Sequence, residues 1–393
     1  MAPTDPPRFD AVVHGDGVVG RAAALALAAA GLVVGHARPA PPGGRPVAAP
    51  GALGPAVSPG ASTRADVRTF ALNAASVALL SRLRVWDSLP ADARTAVHEM
   101  RVHGDAEGAA LAFSAYGLAV PVLAWIVDAA ALEAALGDAL RFSPHVHACD
   151  TGAAAPLAVH AEGRGAAATR AALGVAMERR AYGQRAVATR LVGDRPHANT
   201  ARQWFRSPDV LALLPFDRPA AGASWGLVWS VPEARAEALL AMPEAAFAAA
   251  LADATGGEVG ALELAAPRAA WPLAIARAEP MAGLGWVLVG DAAHEVHPLA
   301  GQGLNLGLAD VATLAEVLAA REAWRSPGDA RLLARFARRR HAPTRAMGAV
   351  TDGLLHLFAH EAPFVKALRN RGLAAVERLA PLKRALAARA FGG

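Results

Sequence analysis

The chain begins its ordered pattern with a short apolar run at residues 11–14, which reads as a buried strand. Gly15-Asp16-Gly17-Val18-Val19-Gly20 follows, and an alanine-rich helical segment over 21–30 stops at Gly31. A second apolar run, 32–37, predicts another strand, so the opening is a strand–helix–strand unit. Residues 39–60 are rich in Pro and Gly and predict an irregular surface loop. Helical spacing then predicts a helix over 68–83. Residues 99–113 alternate in polarity around a turn signal at 104–108, as a hairpin does, and 129–140 are again helical in spacing.

The middle of the chain changes period. Residues 185–192, 201–205, 210–214 and 224–230 are strand-like pieces separated by Pro, Gly and Asp, which predicts a mainly antiparallel sheet. Helical patterns return at 232–240 and 244–254. A strand at 286–289 runs into Gly290-Asp291, and everything after Leu304 reads as helix. No internal repeat is visible.

Composition narrows the class. The 393 residues are 54% hydrophobic, much of it alanine, which packs closely but adds little buried area. The longest apolar stretch, 22–34, is shorter than the about 20 residues a membrane span needs. Residues 1–10 show no signal-peptide pattern, and the single Cys149 fits a reducing compartment, so a cytoplasmic protein is expected. The formal charge of +5 is spread over interspersed residues, which argues against a nucleic-acid partner. Arg338-Arg339-Arg340-His341 reads as a solvated helix face.

The first candidate chemistry lies in the Gly15-x-Gly17-x-x-Gly20 spacing. Gly15 permits a tight turn, Gly17 lets the backbone approach a pyrophosphate, and Gly20 lets the helix sit close to the strand. The phosphates then lie at a helix N-terminus, beside Val19. An acidic residue should end the second strand and hold the ribose hydroxyls, but Arg38 stands there, a residue suited to a 2′-phosphate. Asp16 adds a carboxylate near the phosphate position.

The second segment runs from Gly290 to Asn305: Gly290-Asp291-Ala292-Ala293-His294, then Pro298, then Gly301-Gln302-Gly303-Leu304-Asn305 opening a helix. Asp291 is suited to a polyol hydroxyl, and the amides of Gly303, Leu304 and Asn305 to negative charge. This segment resembles the signature of class A flavoprotein monooxygenases, the family of p-hydroxybenzoate hydroxylase. Arg68 and Ala71-Leu72 are similar to that family's flavin-contacting segment. Tyr182 to Ala186, residues 211–216, Met347, Thr351-Asp352 and Leu357-Phe358 resemble the ubiquinone-biosynthesis hydroxylases.

The resemblance implies an α/β fold: a Rossmann-like FAD-binding domain (1–98, 120–178 and 272–330), an inserted mainly antiparallel β-sheet substrate domain (99–119 and 179–271) and a helical C-terminal region (331–393). It implies FAD as cofactor, NAD(P)H as transient electron donor, and O2 with a phenolic ring as reactants. A prenylated phenol on the way to ubiquinone is the first substrate expected, and a soluble aromatic acid the second. The cofactor carries the chemistry, so no side chain need act as nucleophile; His294 and His297 are base candidates by position alone.

Three positions depart from the family pattern. Arg38 replaces the ribose-binding glutamate, Glu162-Gly163 stands for Asp-Gly with Arg170 at altered spacing, and Asp128-Ala129-Ala130 stands for Glu-Asn-Arg. They motivate a third function, a non-catalytic scaffold in a biosynthetic complex. Two smaller readings stay beside these. His145, His147 and Cys149 share a strand face and are zinc-capable residue types, although no fourth ligand is near. Residues 354–391 are apolar and arginine-bearing, as a helix pair on the core or a peripheral contact with the inner face of a membrane would be.

Overall fold

A computed structural model describes residues 8–38, 66–104, 110–296 and 302–359. The loop expected at 39–60, the turn residues 105–109, His297, Pro298, Gly301 and the tail beyond 359 lie outside the described residues, as do the side chains of 354–359.

Eight α-helices lie among the described residues: α1 (Val18–Ala29), α2 (Ala74–Arg82), α3 (Ala129–Arg141), α4 (Ala167–Ala172), α5 (Glu233–Ala241), α6 (Glu244–Thr255), α7 (Gln302–Ala319) and α8 (Ala330–Ala359). The opening unit forms as the apolar pattern predicts, with strand β1 (Ala11–His14) pairing in parallel with β2 (Val34–Ala37). Val18, Gly20 and residues 22–28 of α1 are buried, because small alanines let the helix sit between the sheet, α3 and α7. Gly31, at a φ of +84° that favours glycine, ends it.

This first sheet has six strands, in the order Ala282–Gly283, Trp286–Leu288, Leu157–His160, β1, β2 and Val146–Cys149. All its pairings are parallel except the edge hairpin of 282–283 with 286–287. Its strands are short and apolar, as buried parallel strands are.

Among the described residues the second sheet has nine strands. Its centre is Ala176–Gly193, Ser224–Pro232, Asp209–Phe216 and Thr200–Arg206, paired antiparallel in that order. Glu99–His103 then adds in parallel to Thr200–Arg206 and carries the hairpin partner Ala110–Ser114. Trp204, Trp225 and Trp229 lie buried under α5 and α6, with Phe247 of α6 6.2 Å from Trp229, ring to ring. Each large apolar side chain buried in this way contributes about 1.5–3 kcal/mol. The long strands Ala176–Gly193 and Ala269–Glu279 lead out of the first sheet's layer and back toward it. Arg170 NH1 donates to the carbonyl of Ala292 across 3.1 Å, tying α4 to the turn after Trp286–Leu288.

Three expectations need correction. The chain after Leu304 is not continuous helix, because α7 stops at Ala319 and residues 320–329 form no helix before α8 begins at Ala330. Helical spacing over 68–83 predicts one helix, but Thr69–Leu72 forms a strand, β3, and only Ala74–Arg82 is helical. Asn73 makes the break by accepting a hydrogen bond from Ser76 N as an N-cap, while β3 pairs with Ala124–Asp128. The run 338–341 is not wholly solvated. Arg338, Arg339 and His341 are exposed, but Arg340 is buried against α7. Among the described residues no helix is long and apolar enough to cross a membrane, and no His/Cys/Asp/Glu cluster is placed to hold a metal ion.

Candidate cofactor site

Four neighbouring parallel strands of the first sheet end on the same side, and each hands the chain to one motif. Trp286–Leu288 leads to Gly290-Asp291, Leu157–His160 to Glu162-Gly163, β1 to Gly15-Asp16-Gly17, and β2 to Arg38. The crevice at the carboxyl ends of such strands is where α/β sheets bind ligands. Sequence elements more than two hundred residues apart therefore converge by topology.

At β1 the chain turns with Gly15 at a φ of +123°, where a Cβ would collide with the carbonyl of Ala161. Gly20 is packed as closely, because a Cβ there would strike the carbonyl of Gly15. Gly17 differs: it is exposed, and an added Cβ would meet nothing within 4 Å. Gly17 is also the N-cap of α1, so no side-chain cap covers the amides of the first turn. Val19 wedges this turn against the second motif. Its methyls lie 3.2 Å from a Cβ built on Gly290 and 2.7 Å from one built on Gly307 of α7.

Around the turn stand imidazoles and carboxylates. His36 Nε2 donates to Gly15 O across 3.0 Å, and desolvation lowers its pKa, which suits the neutral donor form. His14 stacks on His160 at 5.0 Å, and burial followed by His160 lowers its pKa. Glu162 Oε1 accepts from Thr169 Oγ1 at 3.0 Å and lies 3.2 Å from His160 Nδ1. Desolvation raises the Glu162 carboxyl, but these bonds outweigh it and hold the pKa low. Its Oε2 is buried without a hydrogen-bond partner, an acceptor left over at the edge of the crevice.

The second motif is held from behind. Gly290 takes a φ of +60°, and its N–H donates to Asp310 Oδ2 at 2.9 Å. His294 Nε2 reaches the same oxygen at 2.6 Å, and Arg340 Nε donates to Oδ1 at 2.6 Å. Asp291 projects the other way. Its side chain is exposed although protein crowds it, and that crowding raises its carboxyl pKa against the pull of Arg164 and His294. Glu295 lies buried, with Arg164 at 3.6 Å and Arg179 at 3.9 Å.

Gly303, Leu304 and Asn305 form the first turn of α7, and among the described residues a Cβ on Gly303 would meet nothing within 4 Å. The side chain of Asn305 is engaged in the fold: Oδ1 accepts from Asn73 N at 3.0 Å and Ser76 Oγ at 2.7 Å, and Nδ2 donates to Ala71 O at 2.7 Å. Of Gln302 only the backbone, inside α7, is described.

Two expected site residues are paired with carboxylates. Arg68 NH2 pairs with Asp66 at 2.6 Å and Glu133 of α3 at 3.1 Å. Arg38 leans over Asp16, Nε to Oδ1 at 3.6 Å. Asp310, Arg340 and Thr169 are site-building residues that local pattern does not reveal. One signal is that Asp310 is a charge among the apolar residues Leu306, Leu308, Val311 and Leu314.

The α1 terminus without a side-chain cap, the exposed Asp291 and the first turn of α7 fit a flavin dinucleotide. Diphosphate would lie at Gly17, a polyol at Asp291 and the ring beyond α7. His294 is 3% exposed and committed to Asp310, which makes it part of the frame rather than a general base.

Comparisons with known proteins agree with that fit. The FAD binding domain family matches residues 151–351. The chain is 33% identical to 3-demethoxyubiquinol 3-hydroxylase of Escherichia coli, over 97% of each chain. It is 36% identical to a ubiquinone hydroxylase of Rhodospirillum rubrum over 61% of this chain, a match that spans 54% of the relative's length. PqsL of Pseudomonas aeruginosa, solved in complex with 2-aminobenzoylacetate, shares the fold at a TM-score of 0.72 and 18% identity, over 95% of this chain and 100% of that one. The chain belongs to the FAD binding domain family, among the class A flavoprotein monooxygenases.

Proposed function

We propose that this protein is an FAD-dependent monooxygenase that hydroxylates the ring of a prenylated phenol in ubiquinone biosynthesis. One observation carries the reading. The Gly15–Gly20 turn, Gly290-Asp291 and the α7 terminus share one crevice, in a chain alike from end to end with a demethoxyubiquinol hydroxylase. FAD, when bound, supplies the redox and oxygen-transfer chemistry, with NAD(P)H as its reductant. The chain's own residues bind and orient. Gly17 and the α1 amides hold diphosphate, Asp291 accepts from a polyol hydroxyl, and the amides of Gly303 to Asn305 favour negative charge on the ring. The fingerprint unit (1–98, 120–178 and 272–330) serves as the FAD domain, and 99–119 with 179–271 as the cover that shapes the substrate space and excludes water.

The test is a visible absorption spectrum of the full chain before and after added FAD. NAD(P)H oxidation and product mass are then followed with a polyprenyl phenol and with a soluble hydroxybenzoate. Flavin uptake with gain of one oxygen on the prenyl substrate is the expected result. Turnover of the soluble acid alone moves the substrate to that class. No flavin uptake overturns the reading and leaves the scaffold alternative.

A further inference from the structure

The dinucleotide site lacks an acid where β2 ends, yet a carboxylate stands there. Asp16 follows β1, but its Oδ1 lies 3.6 Å from Arg38 Nε and 3.8 Å from His36 Nε2, the residues at the end of β2 and just beyond. Arg21 of α1 fixes it from below, Nε to Oδ1 at 3.0 Å and NH2 to Oδ2 at 3.1 Å. Arg21 is itself anchored, NH1 donating to Glu133 O at 2.6 Å and Nε to Asp16 O at 2.8 Å. A carboxylate offers about four acceptor sites. Arg21 takes two of them, and the side chain remains 31% exposed. Two cations, Arg21 and Arg38, stand against this single anion, so the cluster as a whole does not repel a diphosphate at Gly17. Beyond the arginines an open cavity of about 260 Å³ is lined by Arg21, Arg38, Ala134, Gly137, Asp138 and Arg141.

We infer that Asp16 is the ribose-binding acid of this site, reaching from the glycine turn to the place that a residue at the end of β2 holds in other dinucleotide folds. It accepts from the adenosine 2′-hydroxyl of FAD. Arg38 is then not a lost contact but the counter-charge that keeps Asp16 compatible with the neighbouring phosphates. This assignment rests on the flavoprotein reading above and deepens it at one residue.

The test is a titration of the full-length apoprotein with FAD and with an FAD analogue built on 2′-deoxyadenosine, read by quenching of flavin fluorescence. Wild type is expected to bind FAD about tenfold more tightly than the analogue, the scale of one hydrogen bond to a charged group. Asp16→Ala is expected to lose about that factor for FAD alone, which brings the two ligands level. Asp16→Asn keeps a partner for Arg21, guards against misfolding, and is expected to narrow the gap. If wild type binds both ligands equally, or if Asp16→Ala weakens both by the same factor, Asp16 acts only through the fold and the assignment falls. Tighter FAD binding in either variant also overturns it. Wild type that takes up neither ligand overturns the flavoprotein reading together with it.

Discussion

Arg340 Nε donates to Asp310 Oδ1 across 2.6 Å, and the two side chains are 7% and 0% exposed. The pair joins α8 to α7, and Asp310 in turn holds Gly290 N and His294 Nε2. One buried carboxylate thus connects the C-terminal helix to the loop that presents Asp291. Ionised groups so deep persist only when their hydrogen-bonding capacity is met, and here three donors converge on one acceptor.

Removing one member of that network is expected to be costly. Arg340→Ala leaves Asp310 buried with only His294 and the Gly290 amide and should lower the unfolding free energy by about 3 kcal/mol. Urea denaturation of the variant measures this directly. The same variant should bind FAD more weakly, because Gly290 loses a fixed anchor. An unchanged denaturation midpoint would mean that water enters and replaces the guanidinium.

The pair also makes stability depend on pH. Desolvation pulls the His294 pKa down, but the charge and hydrogen bond of Asp310 outweigh it and leave it raised. Desolvation likewise raises Asp310, and His294, Arg340 and the Gly290 amide outweigh that and hold it low. A raised histidine contributes fully below its unfolded value of about 6.5 and loses its contribution as pH rises through the folded value. A lowered aspartate contributes above about 3.9 and loses its contribution as pH falls through its folded value. The stability gap between wild type and His294→Gln should therefore be widest from about pH 4 to 6.5 and shrink toward alkaline pH. A gap that stays constant through pH 9 would show that His294 is held neutral in the fold.

How much of this was open to sequence reasoning depends on the range of each interaction. β1, α1 and β2 follow from local period and from the close packing of Gly20 on Gly15, although the space at Gly15 is closed by the distant Ala161 carbonyl. The break between β3 and α2 is local too, but it turns on a single cap, Asn73, that helical spacing alone passes over. Leu333, Phe336 and Arg340 share a helix face by spacing, which hints that Arg340 points inward. Nothing near it in sequence says that a buried acid waits there, because Asp310 lies thirty residues earlier on another helix. The same holds for Asp16. Its oddity is plain in the sequence, but its place beside Arg38 exists only once β1 and β2 are paired.

The glycines of the fingerprint separate folding from binding. Gly20→Ala drives a Cβ into the Gly15 carbonyl and should destabilise the protein by about 3 kcal/mol or prevent accumulation of soluble chain. Gly17→Ala meets open space and should leave thermal unfolding almost unchanged. Its methyl would occupy the ground a diphosphate needs, so FAD affinity should fall at least about tenfold. Thermal melts of both variants beside fluorescence titration of FAD check this. Equal FAD affinity in Gly17→Ala and wild type would place the diphosphate elsewhere.

Asn305 gives the complementary case, a motif residue whose side chain serves the frame. It bridges Ala71 O, Asn73 N and Ser76 Oγ, so it locks the end of β3 and the cap of α2 onto the first turn of α7. Asn305→Ala strips a partner from each of these three groups at once. Unsatisfied buried polar groups cost about 1–3 kcal/mol each, and partial relaxation should leave a net loss of about 3 kcal/mol. Asn305→Asp keeps the acceptor contacts to Asn73 N and Ser76 Oγ and loses the donor to Ala71 O, so its loss should be smaller. The decisive measurement is the order of the two variants in chemical denaturation, followed by FAD affinity under conditions where both are folded. If Asn305→Ala is the less stable yet binds FAD as wild type does, the side chain acts on the frame and the ring is left to the backbone amides. If it is fully stable and binds FAD poorly, the side chain contacts the cofactor instead.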